Sequence, residues 1–127
     1  MFPYAYKREQ CSNHNELMQM SKEICDAIYS GKPGPFGPSR TVTLFSVHRK
    51  NFVYGDISTI IYPASGSTAD WAYDSADIPC AYAPELRDQG EYGFLIPENQ
   101  IIPVAEEMYA GFITMADQVL AGRCDNK

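Results

Sequence analysis

The stretch "NQIIPVAEEMYAGFITMADQVL", residues 99–120, carries the clearest structural pattern of the sequence. Its apolar residues recur at intervals of three and four positions, namely Ile101, Ala105, Met108, Phe112, Met115 and Val119. This spacing is typical of one face of an amphipathic helix. Asn99 is the predicted cap, and Pro103 lies near the first turn, where a proline is tolerated. The pattern predicts a long helix whose apolar face docks on a core.

A second helix is predicted in the stretch "SNHNELMQMSKEICDAIYSG", residues 12–31. Its apolar positions at helical spacing are Leu17, Met20, Ile24 and Ile28. Asn13 or Asn15 is the expected cap, and Gly31 is the expected end. From Gly31 the chain reads "GKPGPFGPS", in which six of nine residues are Gly or Pro, so we expect a loop or an inserted segment there.

Between the two helices the sequence favours strands. Residues 40–56 and 57–66 are rich in β-branched and aromatic residues, and residues 77–87 predict a buried strand. A short helix over residues 67–75 separates them, with Ser67 or Thr68 as its cap, Asp70 in its first turn and Trp71 as a core residue. This alternation predicts an α/β fold, a mixed sheet flanked by helices, which is incomplete by itself.

The composition excludes several classes of partner. A chain of 127 residues with 45% hydrophobic residues is long enough to bury a core. The formal net charge of −6, without a basic patch, argues against nucleic acid. No apolar run is long enough to span a bilayer. We therefore expect neither nucleic acid nor a membrane as a partner.

Cysteine and histidine spacing argues against a zinc site made by this chain alone. The four cysteines, Cys11, Cys25, Cys80 and Cys124, form no C-x-x-C pair, and His14 and His48 stand near none of them in a ligand pattern. Cys80 lies in an apolar run and is predicted to be a buried thiol rather than half of a bridge. The disulfide pairing stays open.

Two residues have competing interpretations from local chemistry. Glu85 and Arg87 stand two apart at a predicted strand end, which favours a structural ion pair. The alternative is that Glu85 is a general base at the mouth of the sheet. Tyr62, before a Ser/Gly-rich loop, is either a core residue or a mobile phenol that contacts substrate.

Two longer stretches carry a family resemblance. "IIYPASGSTADWAYD", residues 60–74, and "ELRDQGEYGFLIPENQIIPVAEEMYAG", residues 85–111, resemble the C-terminal half of the catalytic domain of the zinc metallocarboxypeptidases of the carboxypeptidase A/B type. The likeness covers residues 54–120, and "FPYAY" more loosely resembles the family's Y-P-Y-G-Y tract. Residues 1–127 are thus identified as part of such a domain, with 31–50 as an unaligned insertion or wrongly joined segment.

The resemblance implies roles for individual residues. Glu85 matches the catalytic glutamate that activates the zinc-bound water and returns a proton to the leaving amine. Tyr62 matches the mobile tyrosine that closes over the bound C-terminal residue, and Phe94 matches a phenylalanine of the substrate cleft. Arg87 and Asp88 match a structural pair beside the site.

The resemblance also implies a substrate preference. The pocket for the last side chain of the substrate is matched by apolar residues only, Ile57, Ile61, Ala64, Ala69 and Ala83. The position of Ala69 is acidic in the enzymes that remove C-terminal Lys or Arg. The expected preference is therefore for apolar or aromatic C-termini.

Other features depart from the family pattern. Zinc is the family's cofactor, but neither "HNEL" at His14 nor "HRKN" at His48 is the H-x-x-E motif, and the third ligand precedes the Y-P-Y-G-Y tract. Ser67 replaces a usual glycine, and Pro84 precedes the glutamate. We expect the chain alone to be inactive, and the complete enzyme to be secreted, monomeric and directed at peptide or protein C-termini. The alternative is a non-catalytic truncated relative that acts as a binding module.

Overall fold

A computed structural model describes residues 1–31 and 50–125. Its helices are α1 (His14–Ser30), α2 (Ile57–Ile60), α3 (Thr68–Asp74) and α4 (Ile101–Leu120), and a short 3-10 helix, Glu98–Gln100, leads directly into α4. The two long helices, α1 and α4, pack against each other. None of the helices in these ranges is long and apolar enough to cross a membrane.

The predicted mixed sheet is absent from the described residues. Within residues 1–31 and 50–125 there is no strand, and pairing is limited to an isolated parallel bridge between Phe2 and Asp56. The prediction of an α/β fold with a mixed sheet flanked by helices is therefore wrong for this chain. Residues 80–86 run without turn or bend but have no ladder partner. Composition reports the local preference of a segment, whereas a strand also needs a neighbour for its N–H and C=O groups.

The segment 57–66 was predicted as a strand and instead begins with the helical turn α2. The backbone N–H groups of Ile57 and Ser58 donate to the carbonyl oxygens of Phe2 and Tyr4, at 3.0 Å each. The first N–H groups of a helix have no partner within the helix itself. The carbonyl oxygens of a segment more than fifty residues away thus accept the hydrogen bonds of these first N–H groups of α2. No local sequence pattern indicates such distant contacts.

Helix α1 matches its predicted face. Leu17, Met20 and Ile28 are buried, and Ile24 is half-buried. The helix ends at Gly31, whose φ of 65° lies in the left-handed region and whose N–H reaches the carbonyl oxygens of the last turn. Glycine adopts this conformation without a steric penalty, so the predicted end of the helix is confirmed.

The predicted helix caps had different outcomes. Ser67 caps α3, because its side-chain oxygen accepts a hydrogen bond from the N–H of Ala69 at 3.2 Å. Asn13 stands before α1 but makes no side-chain cap, and its side-chain oxygen accepts a hydrogen bond from the Tyr73 hydroxyl at 2.9 Å. Asn99 lies inside the 3-10 helix and does not cap α4.

Helix α4 is present, but the face that it buries shares only Met108 with the predicted apolar face. Of the predicted apolar face, Ile101, Phe112 and Val119 are 55%, 50% and 44% exposed. The buried positions are Glu107, Met108, Ala110, Gly111, Thr114 and Gln118. A Cβ added at Gly111 would stand 2.9 Å from the side chain of Ile28, so the two helices approach closely at this glycine. Close approach to α1 therefore decides which face is buried.

The main core cluster forms where α1 meets the N-terminal segment and the stretch after α3. Its buried residues are Phe2, Tyr4, Cys11, Leu17, Met20, Tyr73, Ala81 and Cys124. Trp71 was predicted to belong to the core, but it is 61% exposed. The buried aromatic residue of α3 is Tyr73, which lies two positions further along the helix.

A disulfide joins Cys80 to Cys124, with their Cα atoms 5.6 Å apart. The prediction that Cys80 is a buried free thiol is therefore wrong. The thioether sulfur of Met20 in α1 lies 3.4 Å from the Cys124 sulfur. The bridge thus fastens the chain after α4 to the segment after α3, beside α1. Cys11 and Cys25 are free.

Candidate functional site

Glu85 borders a cleft between the two long helices. The cleft has a volume of about 1150 Å³, and among its lining residues are Ile24 and Ile28 of α1, Phe112 and Met115 of α4, Phe52 and Tyr54. Glu85 itself is exposed, in the irregular segment that follows the buried Ala81. A carboxylate at the edge of a largely apolar cleft is accessible to a ligand that enters it.

The segment that carries Glu85 is held on both sides. On one side the N–H of Ala83 donates to the carbonyl oxygen of Met1 at 2.8 Å. On the other side Arg87 donates from Nε to Oε2 of Glu107 at 3.0 Å and from Nη1 to Oε1 of Gln100 at 2.8 Å. A second bond from Nη2 of Arg87 to Oε1 of Glu107 completes a bidentate pair. Arg87 therefore pairs with α4.

Asp88 stabilises its own loop. Its carboxylate accepts hydrogen bonds from the backbone N–H groups of Gly90 and Tyr92, the latter at 3.0 Å. Gly90 has a φ of 100°, which glycine tolerates. Arg87 and Asp88 therefore take different partners, the first in α4 and the second in the loop that leads towards Phe94.

Three of the predicted pocket residues meet in one small apolar cluster. Ile57 and Ala69 are buried together with Ala5, and Ala83 and Met1 pack against them. The residues come from α2, from α3, from the N-terminal segment and from the stretch just before Glu85. The fold therefore brings together positions that are far apart in sequence.

The other predicted substrate residues lie further out. The N–H of the half-buried Ala64 donates to the carbonyl oxygen of Ala5 at 2.9 Å, next to the apolar cluster. Ile61 is 46% exposed and borders the same cleft as Glu85. Tyr62 is 64% exposed and Phe94 is fully exposed, and neither lines the cleft.

Two buried carboxylates have roles that the sequence interpretation missed. Asp70 accepts hydrogen bonds from the backbone N–H groups of Ala5 and Tyr6, so it holds the N-terminal segment as well as lying in the first turn of α3. Glu107 is only 3% exposed and binds Arg87. A signal for Glu107 existed: positions 107, 111, 114 and 118 follow helical spacing and carry small or polar residues. Such a second face is typical of close helix contact.

Burial keeps the phenol and the free thiol of the cleft protonated. Burial raises the pKa of the Cys25 thiol to about 11. It also raises the pKa of the Tyr82 hydroxyl, which donates a hydrogen bond to the carbonyl oxygen of Leu17 at 3.3 Å. A thiol that stays protonated at neutral pH is a poor nucleophile. Cys25 and Tyr82 therefore line the cleft as uncharged polar side chains.

His14, which lies among the described residues, contacts an aspartate and an aromatic ring and is not part of a group that could hold a metal ion. Nδ1 of His14 lies 3.0 Å from Oδ1 of Asp56, and the imidazole packs edge-on against the ring of Phe2 at 5.5 Å between centroids. Across residues 1–31 and 50–125 there is no group of three His, Cys, Asp or Glu side chains that could hold a metal ion. His48 lies outside the described residues.

Comparison with known proteins identifies the family. Residues 1–111 match the family model described as zinc carboxypeptidase. The chain belongs to the zinc carboxypeptidase family. It is 40% identical to human carboxypeptidase A5 over 120 residues, which are 94% of this chain and 24% of that protein. It is 38% identical to pig carboxypeptidase A1 over 120 residues, 94% of this chain and 25% of that protein. The chain thus spans about a quarter of the length of these curated zinc carboxypeptidases.

A solved carboxypeptidase-like structure has a similar fold. It is the structure of bovine thrombin-activatable fibrinolysis inhibitor in complex with tick carboxypeptidase inhibitor. The TM-score is 0.76 at 30% sequence identity, and the match covers 96% of this chain and 36% of that chain. This zinc carboxypeptidase family member thus corresponds to about a third of the matched structure.

The family's zinc does not fit the described residues by themselves. A catalytic zinc site needs three protein ligands with nitrogen, sulfur or oxygen donors. His14 is paired with Asp56, two of the cysteines form the disulfide, and no suitable cluster of three occurs in the described ranges. These residues of the zinc carboxypeptidase chain therefore offer a carboxylate and an apolar cluster but no metal centre.

Proposed function

We propose that this chain is the part of a metallocarboxypeptidase that supplies the general base and the specificity pocket, for the release of single C-terminal residues from peptides. The proposed catalytic residue is Glu85. The observation that carries the proposal is its position at the edge of the cleft, on a segment fixed at Ala83 and Arg87. The chain alone is expected to be inactive, because the described residues hold no zinc site.

In the proposed reaction the carboxylate of Glu85 accepts a proton from the attacking water. The same group then returns the proton to the amine of the leaving residue as the peptide bond breaks. The exposure of Glu85 supports this role, because a general base must lie within hydrogen-bonding reach of the water that it deprotonates.

The proposed specificity is for apolar or aromatic C-terminal residues. Ile57, Ala69 and Ala83 supply only apolar surface. Asp70 stands next to Ala69, but its carboxylate is bound to the backbone of the N-terminal segment. A C-terminal Lys or Arg would bury its charge without a paired carboxylate, which is costly. Ile61 and Ala64 are proposed to extend the apolar wall.

Tyr62 and Phe94 are proposed to contact the substrate from the rim. Both side chains are exposed, Tyr62 at 64% and Phe94 completely, so both are accessible to a bound peptide. Tyr62 is the second residue after α2, whose Ile57 belongs to the apolar cluster. An exposed aromatic side chain at such a position can close over a bound residue.

The proposed setting is extracellular. The Cys80–Cys124 disulfide supports this, because disulfides form and persist in oxidising compartments. The matched bovine structure is a complex with tick carboxypeptidase inhibitor, which supports binding of peptide or protein segments. We further propose that residues 1–127 belong to one catalytic domain, monomeric when complete, with 31–50 as an insertion or a wrongly joined segment.

The test joins this chain to the part of a relative that lies outside the matched region. In a hybrid, this chain replaces the matching 24% of human carboxypeptidase A5. With zinc, the hybrid is expected to release Phe or Leu from peptide C-termini, and the chain alone is expected to release none. A folded, zinc-loaded hybrid without hydrolysis would contradict the proposal. Peptide binding by that inactive hybrid would favour the alternative, a non-catalytic binding module.

A further inference from the structure

Helix α4 buries a charged side chain at its contact with the segment of Glu85. Glu107 is 3% exposed, and its carboxylate is bound by Arg87 through two parallel hydrogen bonds. Burying a carboxylate is unfavourable unless it is paired and hydrogen-bonded. This partner geometry is the bidentate one that holds a guanidinium in a single plane.

A third contact fixes the guanidinium within that plane. Nη1 of Arg87 donates to Oε1 of Gln100 at 2.8 Å, and Gln100 is the residue directly before α4. Glu107 and Gln100 therefore hold three nitrogens of one side chain from two positions of the α4 region. Such a group cannot rotate or slide without breaking a charged hydrogen bond.

The backbone around Glu85 depends on this anchor. Pro84 has no N–H group, and within residues 1–31 and 50–125 no backbone–backbone hydrogen bond holds positions 84–88. The last backbone anchor before Glu85 is Ala83. The first anchor after it is the side chain of Arg87, two residues further on and thus within about 7 Å along the chain.

We propose that Glu107, assisted by Gln100, is a positioning residue for Glu85 and acts through Arg87. The proposal rests on the proposed role of Glu85 as general base. Glu107 does not take part in proton transfer; it sets where the backbone of Glu85 stands relative to the cleft. A displacement of a catalytic group by about 1 Å is enough to lower a rate about 100-fold.

The first test uses the chain itself and needs no activity. Backbone ¹⁵N relaxation is measured in the parent chain, in Glu107→Gln and in the control Glu98→Gln. Glu98 is an exposed carboxylate in the 3-10 helix before α4. In Glu107→Gln the order parameters of Glu85 and Leu86 are expected to fall from about 0.85 towards 0.6, while those of α1 stay unchanged. Glu98→Gln is expected to match the parent.

The second test measures catalysis in the hybrid with human carboxypeptidase A5. Glu107→Gln is expected to lower kcat per zinc-loaded site about 10- to 100-fold, with KM within about threefold of the parent. A merely structural role would lower the melting temperature and the yield, but not the kcat of the molecules that remain folded. Glu98→Gln is expected to keep kcat within about twofold of the parent, since a surface charge away from the site has little effect.

A second variant covers the case in which Glu107→Gln does not fold. Arg87→Gln/Glu107→Gln replaces the charged pair with two amides, so no unpaired charge is buried. It is expected to fold and to keep the low kcat, because the charged fork is lost. Parental order parameters and kcat in either folded variant would overturn the proposal. If the parent hybrid is inactive, the proposed function fails, and the relaxation measurement still decides whether Glu107 positions Glu85.

Discussion

The carboxylate of Asp70 lies 2.9 Å from the backbone nitrogen of Ala5, sixty-five residues away along the chain. It also accepts a hydrogen bond from the N–H of Tyr6 at 3.0 Å. Both Ala5 and Asp70 are buried, so this carboxylate provides the partner that the N–H of Ala5 needs away from water. The contact places the N-terminal segment against α3, beside Ala69 of the proposed pocket.

Asp70→Asn is expected to destabilise the chain by about 1–3 kcal/mol, because one amide oxygen cannot replace a charged acceptor for the N–H groups of both Ala5 and Tyr6. The measurement is urea unfolding followed by circular dichroism. Asp26→Asn is the control. Asp26 forms an exposed i,i+4 pair with Lys22, and its loss is expected to cost less than about 0.5 kcal/mol. Equal effects of the two substitutions would refute the anchoring role of Asp70.

Removal of the disulfide is expected to cost about 2–4 kcal/mol. Cys80 and Cys124 are separated by 44 positions, so their bridge restricts the unfolded chain considerably. The double variant Cys80→Ala/Cys124→Ala is compared with Cys25→Ala, which removes a free thiol. Calorimetry with and without reductant provides the measurement. A double variant as stable as Cys25→Ala would contradict the expected contribution of the bridge.

Stability below neutral pH is expected to depend on Glu23. Burial by itself raises the pKa of this carboxyl, but hydrogen bonds from Gln19 and Gln118 and the charge of Arg123 outweigh burial, and the pKa lies below its ordinary value of 4.5. A carboxyl group whose pKa is lower in the folded state stabilises the fold at pH values above its unfolded-state pKa. This stabilisation is lost as the pH falls through the folded-state pKa.

At pH 7 Glu23→Gln is therefore expected to cost about 1 kcal/mol, since the site is partly exposed. The difference in free energy of unfolding between parent and variant should shrink towards zero as the pH falls from 4.5 through the lower folded-state pKa. Urea unfolding at a series of pH values measures it. A difference that stays constant down to pH 3 would show that the charge of Glu23 contributes nothing.

Replacement of Glu85 tests the proposed chemistry. In the hybrid with human carboxypeptidase A5, Glu85→Gln is expected to keep zinc and peptide binding but to lower kcat by about 10² to 10⁴, because an amide cannot accept the proton of water. Glu98→Gln, in the 3-10 helix before α4, is the control outside the cleft and should retain activity. Full activity of Glu85→Gln would exclude Glu85 as the general base.

Ala69→Asp tests the proposed pocket. The new carboxylate would lie in the apolar cluster with Ala5 and Ile57, so we expect a loss of stability of about 1–3 kcal/mol. In the hybrid the preference should shift from C-terminal Phe or Leu towards Lys or Arg, since the buried anion gains a partner only from a cationic residue. The measurement is kcat/KM on matched peptides. A parent that already prefers Lys or Arg would disprove the proposed specificity.

The sequence was sufficient where a pattern depends on near neighbours. The helical spacing of Leu17, Met20 and Ile28 identified α1, and Gly31 identified its end, because a helix closes its hydrogen bonds within four residues. The ordered motifs around Glu85 indicated the family, which the family model confirms. Ser67 as a cap is equally local, since its bond to Ala69 spans two positions.

The tertiary structure decided everything that needs a partner far along the chain. Among the described residues the predicted strands form no ladder, and Cys80 is bonded to Cys124. On α4, the periodicity predicted one apolar face, but the close approach of Gly111 to Ile28 buries a neighbouring face that shares only Met108 with it. The burial of Glu107 likewise depends on Arg87, which binds its carboxylate from another segment of the chain. A side chain's own type fixes its chemistry and local preference, but the free energy of burying it depends on the group that packs against it.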